Sequence, residues 1–515
     1  MKTCVVRKRL EPKTSTSNYN FDIQTPTGFG VPKCGICFYT NGTDNDAFDE
    51  SSLDRVFGIG FFGYSYANPA TFTAYTSGIG FTHDQTATST LRKAVSGSNV
   101  ANRIAYEFRT DRSVIRQCNF ISIAQDKITV NLVWTNPATS YLDLIFIIFS
   151  GDDIQANVGL LNVGTTINST ASATGLSYSP DLVFTMGAGF GFSNADADAR
   201  LSFGCSTKYG GIKNSASFYR MRSNASGVAG IVTSVEQYIS DNRCFIMYGG
   251  NLGVNTLQTA DITSFNSDGF TMTSKTAFST LTTGVMYLAI KGPVEDVFQL
   301  QNFSSSTSTG ISAIATTTWI PSLIIGSIGC STSVNSLVSS NDSTGMTNFV
   351  AKSLSSKNNY GTGTISVSSG STSVTGSGTG FSRFNVGDFI LSSTNNQAGV
   401  ISEVVNSTSL YLKENSPITL SSDNFSFRPY EQFSVTIGSS HLSGPTKIAS
   451  SISTSSIKVI KFGIAAGIST VIKGEINNFD SYPGFKINYS TVDASARKGW
   501  FLAIKDTELR RRDSN

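Results

Sequence analysis

Apolar and polar residues alternate in short runs along this chain, as in Ile128-Thr129-Val130-Asn131-Leu132-Val133. A period of two marks strands with one face buried. Sustained helical periods are few, so the pattern predicts an all-β protein. Against this background three apolar runs each follow a proline: Pro32-Lys33-Cys34-Gly35-Ile36-Cys37-Phe38, Pro180-Asp181-Leu182-Val183-Phe184 and Pro321-Ser322-Leu323-Ile324-Ile325. Three runs led by an aromatic residue come later, at Tyr141-Leu142-Asp143-Leu144-Ile145-Phe146, Tyr287-Leu288-Ala289-Ile290-Lys291-Gly292 and Phe501-Leu502-Ala503-Ile504-Lys505-Asp506. The opening prolines lie 148 and 141 residues apart, and the closing aromatics 146 and 214. This predicts a unit repeated three times, with a surplus of about 70 residues inside the third.

The repeats share smaller devices. Phe57-Gly58-Ile59-Gly60-Phe61 follows the first opening proline, and Phe203-Gly204-Cys205 follows the second; the third unit has no clear Phe-Gly strand. Ser267-Asp268-Gly269-Phe270 and Ser481-Tyr482-Pro483-Gly484-Phe485 each place glycine before an aromatic, the signature of a tight turn into a strand. The closing aromatic follows 17 and 16 residues later. In the first unit Asp126-Lys127-Ile128 replaces that turn, with a gap of 13.

The predicted organisation is three tandem β-sandwich units, jelly-roll-like, spanning residues 21–155, 156–300, and 301–360 resumed at 431–506. Residues 1–20, basic and then polar, read as an extended N-terminal arm, either lying across a neighbouring subunit or disordered. Residues 361–430 are glycine-punctuated short strands and read as a small β-barrel-like domain inserted in the third unit. Residues 507–515, with Arg510-Arg511-Arg512, form a basic tail.

Composition agrees and excludes some functions. Charged residues are only 14% of the 515, and the net charge of +3 is scattered, so no basic face for nucleic acid is expected. The longest apolar run, Leu142 to Phe149, is too short to span a bilayer, and the N-terminus lacks the apolar core of a secretory signal. Synthesis and assembly in a cytoplasm are therefore expected. Seven widely spaced cysteines argue against a disulfide framework. Cys34 and Cys37, three apart on a strand, should face opposite sides rather than hold a metal. Cys118 and Cys244 read as equivalent core positions.

The inserted segment carries a resemblance. Gly361-Thr362-Gly363, Val374-Thr375-Gly376-Ser377-Gly378-Thr379-Gly380-Phe381, Val386-Gly387-Asp388 and Ser407-Thr408-Ser409-Leu410 reproduce a pattern similar to a small β-domain that recurs in structural proteins of tailed bacteriophages. The Asp268-Gly269-Phe270 turn and Tyr287-Leu288-Ala289-Ile290-Lys291-Gly292 resemble endings of phage virion repeats. The resemblance implies a virion component of tail, fibre or capsid exterior.

Candidate chemistry is sparse. His83 and His441 stand apart without a matching triad, and neither a phosphate loop nor a carboxylate pair stands out, so no enzyme activity and no cofactor or metal are expected. The candidates for glycan or partner contact are Tyr64, Tyr66, Phe72 and Tyr75, because aromatic faces stack on sugars. An acidic set, Asp44, Asp46, Asp49, Asp196 and Asp198, follows the first two opening strands at comparable distances, but without Ca²⁺-loop spacing. The function expected is a structural virion protein that assembles with other virion proteins and with copies of itself, a homotrimer being the natural fibre symmetry. The alternatives are a receptor-binding protein for host surface glycan and a capsid decoration protein.

Overall fold

A computed structural model describes residues 1–26, 28–41, 54–68, 70–82, 94–108, 114–137, 140–187, 198–223, 232–249, 256–276, 283–315, 319, 321–340, 344–352, 363–381, 389–392, 397–412, 414–428, 431–440, 447–453, 457–462, 468–478, 484–505 and 507. Among them there is no α-helix; a 3₁₀ turn lies at Glu295–Val297, and strands are many.

The first unit contains β1 (Lys2–Leu10), β2 (Ser17–Gln24), β3 (Pro32–Thr40), β4 (Asp54–Ser65), β5 (Phe72–Thr82), β6 (Ala94–Ala101), β7 (Arg103–Phe108), β8 (Val114–Ala124), β9 (Lys127–Trp134) and β10 (Leu142–Ser150). The second contains β11 (Gln155–Val163), β12 (Thr170–Ala173), β13 (Leu182–Gly187), β14 (Asp198–Thr207), β15 (Lys213–Ser223), β16 (Val232–Ser240), β17 (Phe245–Gly249), β18 (Thr256–Asn266), β19 (Gly269–Ser274) and β20 (Thr283–Lys291). The third begins with β21 (Phe298–Ser304), β22 (Gly310–Ala315), β23 (Leu323–Gly329), β24 (Ser336–Ser340) and β25 (Thr344–Lys352). The insertion then supplies β26 (Thr364–Val367), β27 (Ser373–Ser377), β28 (Phe389–Ser392), β29 (Gln397–Asn406), β30 (Ser409–Leu412), β31 (Leu420–Asp423) and β32 (Phe425–Arg428). The third unit resumes with β33 (Glu431–Ser440), β34 (Lys447–Ser453), β35 (Ile457–Phe462), β36 (Ile468–Asn478), β37 (Gly484–Thr491) and β38 (Lys498–Ile504).

All three units use one topology. The first has an inner sheet β1-β10-β3-β4-β5-β6 and an outer sheet β2-β9-β8-β7. The second repeats it as β11-β20-β13-β14-β15-β16 over β12-β19-β18-β17. The third repeats it again as β21-β38-β23-β25-β33-β34 over β22-β37-β36-β35. Each unit is thus built from two meanders and crossing strands, rather than the paired Greek keys of a jelly roll. Each has its own sandwich core, such as Cys37, Phe62, Cys118, Leu132 and Phe146 in the first.

Three expectations need correction. Residues 2–10 are not part of an extended arm; they are β1, paired along its whole length with β10. Asp143, fully buried in β10, explains the basic N-terminus, because Arg7 and Arg9 reach it at 2.8 and 3.0 Å. The closing aromatic of the first unit is Phe146, not Tyr141, since the pairing of β10 with β3 aligns Phe146 with Tyr287 and Phe501. Counted from Ile128, the gap becomes 18 residues, in line with 17 and 16. The insertion is an open sheet, β31-β26-β27-β30-β29-β28-β32, whose end strands do not pair to close a barrel. It encloses a core of its own, including Ile365, Val374, Phe381, Leu410 and Phe425.

Burial patterns explain the two kinds of apolar run. Outer strand β9 alternates buried and half-buried positions, whereas inner strands β10, β13 and β23 are buried at every position. A strand reads as a continuous apolar run when both of its faces are covered. The sandwich core covers one face. The other face of all three inner sheets meets in a single central core, containing Ile36, Phe38 and Ile147 from the first unit, Phe184, Phe203 and Leu288 from the second, and Ile325, Val350 and Leu502 from the third.

Candidate functional site: the seam of three repeats and the mouth of the first

The central core gives the molecule a pseudo-threefold arrangement. Strand registers make Phe38, Met186 and Ser327 equivalent, likewise Ile59, Phe203 and Asn348, and likewise Ile145, Met286 and Trp500. Each unit places one aromatic residue in this layer, each on a different strand. The Phe38 ring meets Phe203 edge-on at 5.5 Å, and Phe203 meets Trp500 at 5.3 Å. Such aromatic contacts add roughly 0.5–1.5 kcal/mol each beyond the area they bury.

Polar contacts repeat around the ring. Between the first and second units, β4 pairs parallel with β11, and Tyr66 N donates to Val158 O at 2.9 Å. Between the second and third, Ser215 Oγ donates to Asn302 Oδ1 at 3.0 Å, and β24 adds itself to the edge of β16. Between the third and first, Lys352 Nζ donates to Thr3 Oγ1 at 2.7 Å. Met1 is fully buried, and its nitrogen reaches Asp153 at 2.6 Å and Thr507 Oγ1 at 2.8 Å.

The four aromatic candidates do not share a surface. Tyr75 packs on the central core, Phe72 on the core of the first unit, and Tyr66 on that of the second. Tyr64 lies opposite Phe72 across the β4–β5 pair, edge to its ring at 5.3 Å. Phe72 also stacks on Phe120 at 4.5 Å, so other rings cover its faces. Tyr66 meets the buried Tyr287 of the second unit at 6.2 Å. Tyr66 and Tyr75 thus pack where repeats meet, whereas Tyr64 and Phe72 pack within the first.

Asp44, Asp46, Asp49 and Asp196 lie outside the described residues, as do His83 and His441. Asp198 opens β14 opposite Arg222. Among the described residues no group of His, Cys, Asp and Glu could hold a metal ion. All seven cysteines are buried and unbridged. Cys34 faces the central core and Cys37 the sandwich core, as their spacing predicts. Cys118 and Cys244 are not equivalent: Cys118 sits mid-strand in β8, whereas Cys244 precedes β17 and takes the place of Ile104.

One group of residues escaped the sequence reading. At the mouth of the first sandwich, Arg116 is fully buried and its Nε donates to Glu107 Oε2. The second oxygen of Glu107 accepts from Asn41 Nδ2 at 2.9 Å, while Asn41 Oδ1 accepts from Val56 N at 2.7 Å. The Arg116 guanidinium lies 4.7 Å from the Trp134 ring centre. Lys13 stands in front, 4.4 Å from the Tyr19 ring and 5.9 Å from that of Trp134. The signal was parity: on β8, Arg116 shares the interior face with Cys118, a position at which a cation requires partners.

No protein family, curated protein or solved structure matches this chain.

Proposed function

We propose that the chain is a non-enzymatic structural component of a bacteriophage virion, tail- or fibre-associated, acting as a rigid scaffold that assembles with other virion proteins. The observation that carries this reading is the single core shared by three repeats. Burying the second face of every inner sheet resists deformation, because packed interiors transmit rather than absorb strain. The inserted segment lies between the paired Lys352 and Glu431 of the third unit, so the scaffold carries one domain with a core of its own. The phage-like pattern of residues 361–412 lies in that domain and favours a place on the particle exterior. The threefold arrangement expected of a homotrimer is here supplied by one chain, so copies of the chain need not trimerise to create it.

Immunogold labelling of purified particles with antibody against residues 361–430 tests the proposal. Label on the tail or fibre supports it. Label over the capsid face assigns a decoration role instead. Particles that contain none of this chain by mass spectrometry overturn it.

A further inference from the structure

Ser17, Trp134 and Arg116 form a row across β2, β9 and β8 at one level of the first sandwich. Arg116 Nη1 and Nη2, Trp134 Nε1 and Ser17 Oγ are all buried, and none has a hydrogen-bond partner. Every one of these atoms can donate. A buried donor left without an acceptor costs about 1–3 kcal/mol, and four such atoms on residues paired across three neighbouring strands call for an acceptor.

The local charge points the same way. Arg116 and Lys13 carry two positive charges, and Glu107 answers one of them. A single negative charge would balance the other. The guanidinium carbon lies 4.7 Å from the Trp134 ring centre and Nε is engaged by Glu107, which leaves the two Nη groups without a partner. Two N–H groups in a plane match the two oxygens of a carboxylate. Indole N–H and serine O–H are suited to its remaining lone pairs. Tyr19, two residues along β2 from Ser17, is 38% exposed, and Lys13 lies 4.4 Å from its ring.

We propose that Ser17, Trp134, Arg116 and Lys13 form a binding site for one carboxylate group, entered past Tyr19. The group belongs either to an acidic sugar or to a simple organic acid. The inference stands apart from the virion reading, since it rests on donors within one unit.

The full-length protein is titrated with sodium acetate, sodium glucuronate, glucose and sodium chloride at matched ionic strength, following tryptophan fluorescence and Tm. A saturable fluorescence change and a rise in Tm are expected with acetate and glucuronate but not with glucose. Tenfold tighter response to glucuronate identifies an acidic sugar as the natural source; equal response identifies the bare carboxylate. Trp134→Phe, which keeps an aromatic ring, removes the N–H and is read by Tm because the reporting indole is gone, and Lys13→Met, at a half-buried position, should each weaken the response several-fold. The proposal is overturned if neither carboxylate gives a saturable response, if chloride gives an equal one, or if both variants respond like the native protein.

Discussion

The indole nitrogen of Trp500 donates to Ser217 Oγ at 2.9 Å, joining the last described strand to the middle repeat across 283 residues. Both residues are fully buried, and Trp500 also packs on Phe203. Trp500→Phe keeps most of the packing but strands the Ser217 hydroxyl, and should cost about 1–3 kcal/mol. Trp500→Ala also opens a cavity where three units meet and should cost about 3–5 kcal/mol. Urea denaturation followed by circular dichroism measures both. Equal losses for the two variants would show that ring volume is irrelevant at this seam.

Gly60 and Gly204 occupy equivalent positions in β4 and β14. A Cβ built on Gly60 would lie 1.9 Å from Ile104 O, and one on Gly204 would lie 2.0 Å from Cys244 O. Backbone crosses from the inner to the outer sheet at this point, and no side chain can yield. Gly60→Ala and Gly204→Ala should each destabilise by about 1–3 kcal/mol or more. Gly210→Ala is a control for open space, although its positive φ of 72° brings a smaller conformational cost. A denaturation midpoint for Gly60→Ala equal to the native one would rule out the close approach.

The buried thiols predict alkaline lability. Burial pushes Cys118 and Cys244 up to about 12, with the Arg116 guanidinium partly opposing the shift at Cys118. Cys34, Cys37 and Cys205 are raised by the same cause. A group with a raised pKa in the folded state contributes stability below its unfolded pKa and loses it as pH rises toward the folded value. Stability should therefore decline progressively above about pH 9. At pH 8 an aromatic disulfide reagent should label the thiols only after denaturant is added. Rapid labelling of the native protein would contradict the burial.

The repeat was readable because its punctuation is local. Pro32, Pro180 and Pro321 precede equivalent residues of β3, β13 and β23 in the observed registers. The closing strand of the first unit was harder, because Leu142 to Phe149 offers several apolar positions and only pairing with β3 distinguishes them. The missing Phe-Gly strand of the third unit has a packing cause. Phe349 stands where Gly60 and Gly204 stand, and the glycine has moved to the neighbouring strand as Gly326, whose absent Cβ leaves room for the Phe349 ring. Continuous apolar runs follow from two covered faces, but nothing in them says that the second cover is another repeat. Alternation also hid the Arg116 row, since a charged residue at an interior position reads as a break in the pattern until its partners are seen.

The insertion should be removable. In the second unit the strands equivalent to β25 and β33 are β14 and β15, joined by the short turn Lys208–Ile212 between the paired Thr207 and Lys213. Residues 353–430 fill the same place in the third unit, between the paired Lys352 and Glu431. The inserted sheet has a core separate from the other four. Replacing residues 353–430 with the Lys208–Ile212 sequence preserves the register of β25 with β33 and shortens the loop to be closed, which entropy slightly favours. The shortened chain should keep its β-rich circular dichroism and a Tm within a few degrees of the full chain. The fragment 361–430 should in turn give a cooperative melt by itself, because its apolar residues bury one another. A shortened chain that aggregates, or a fragment without cooperative unfolding, would mean that scaffold and insertion depend on each other for folding.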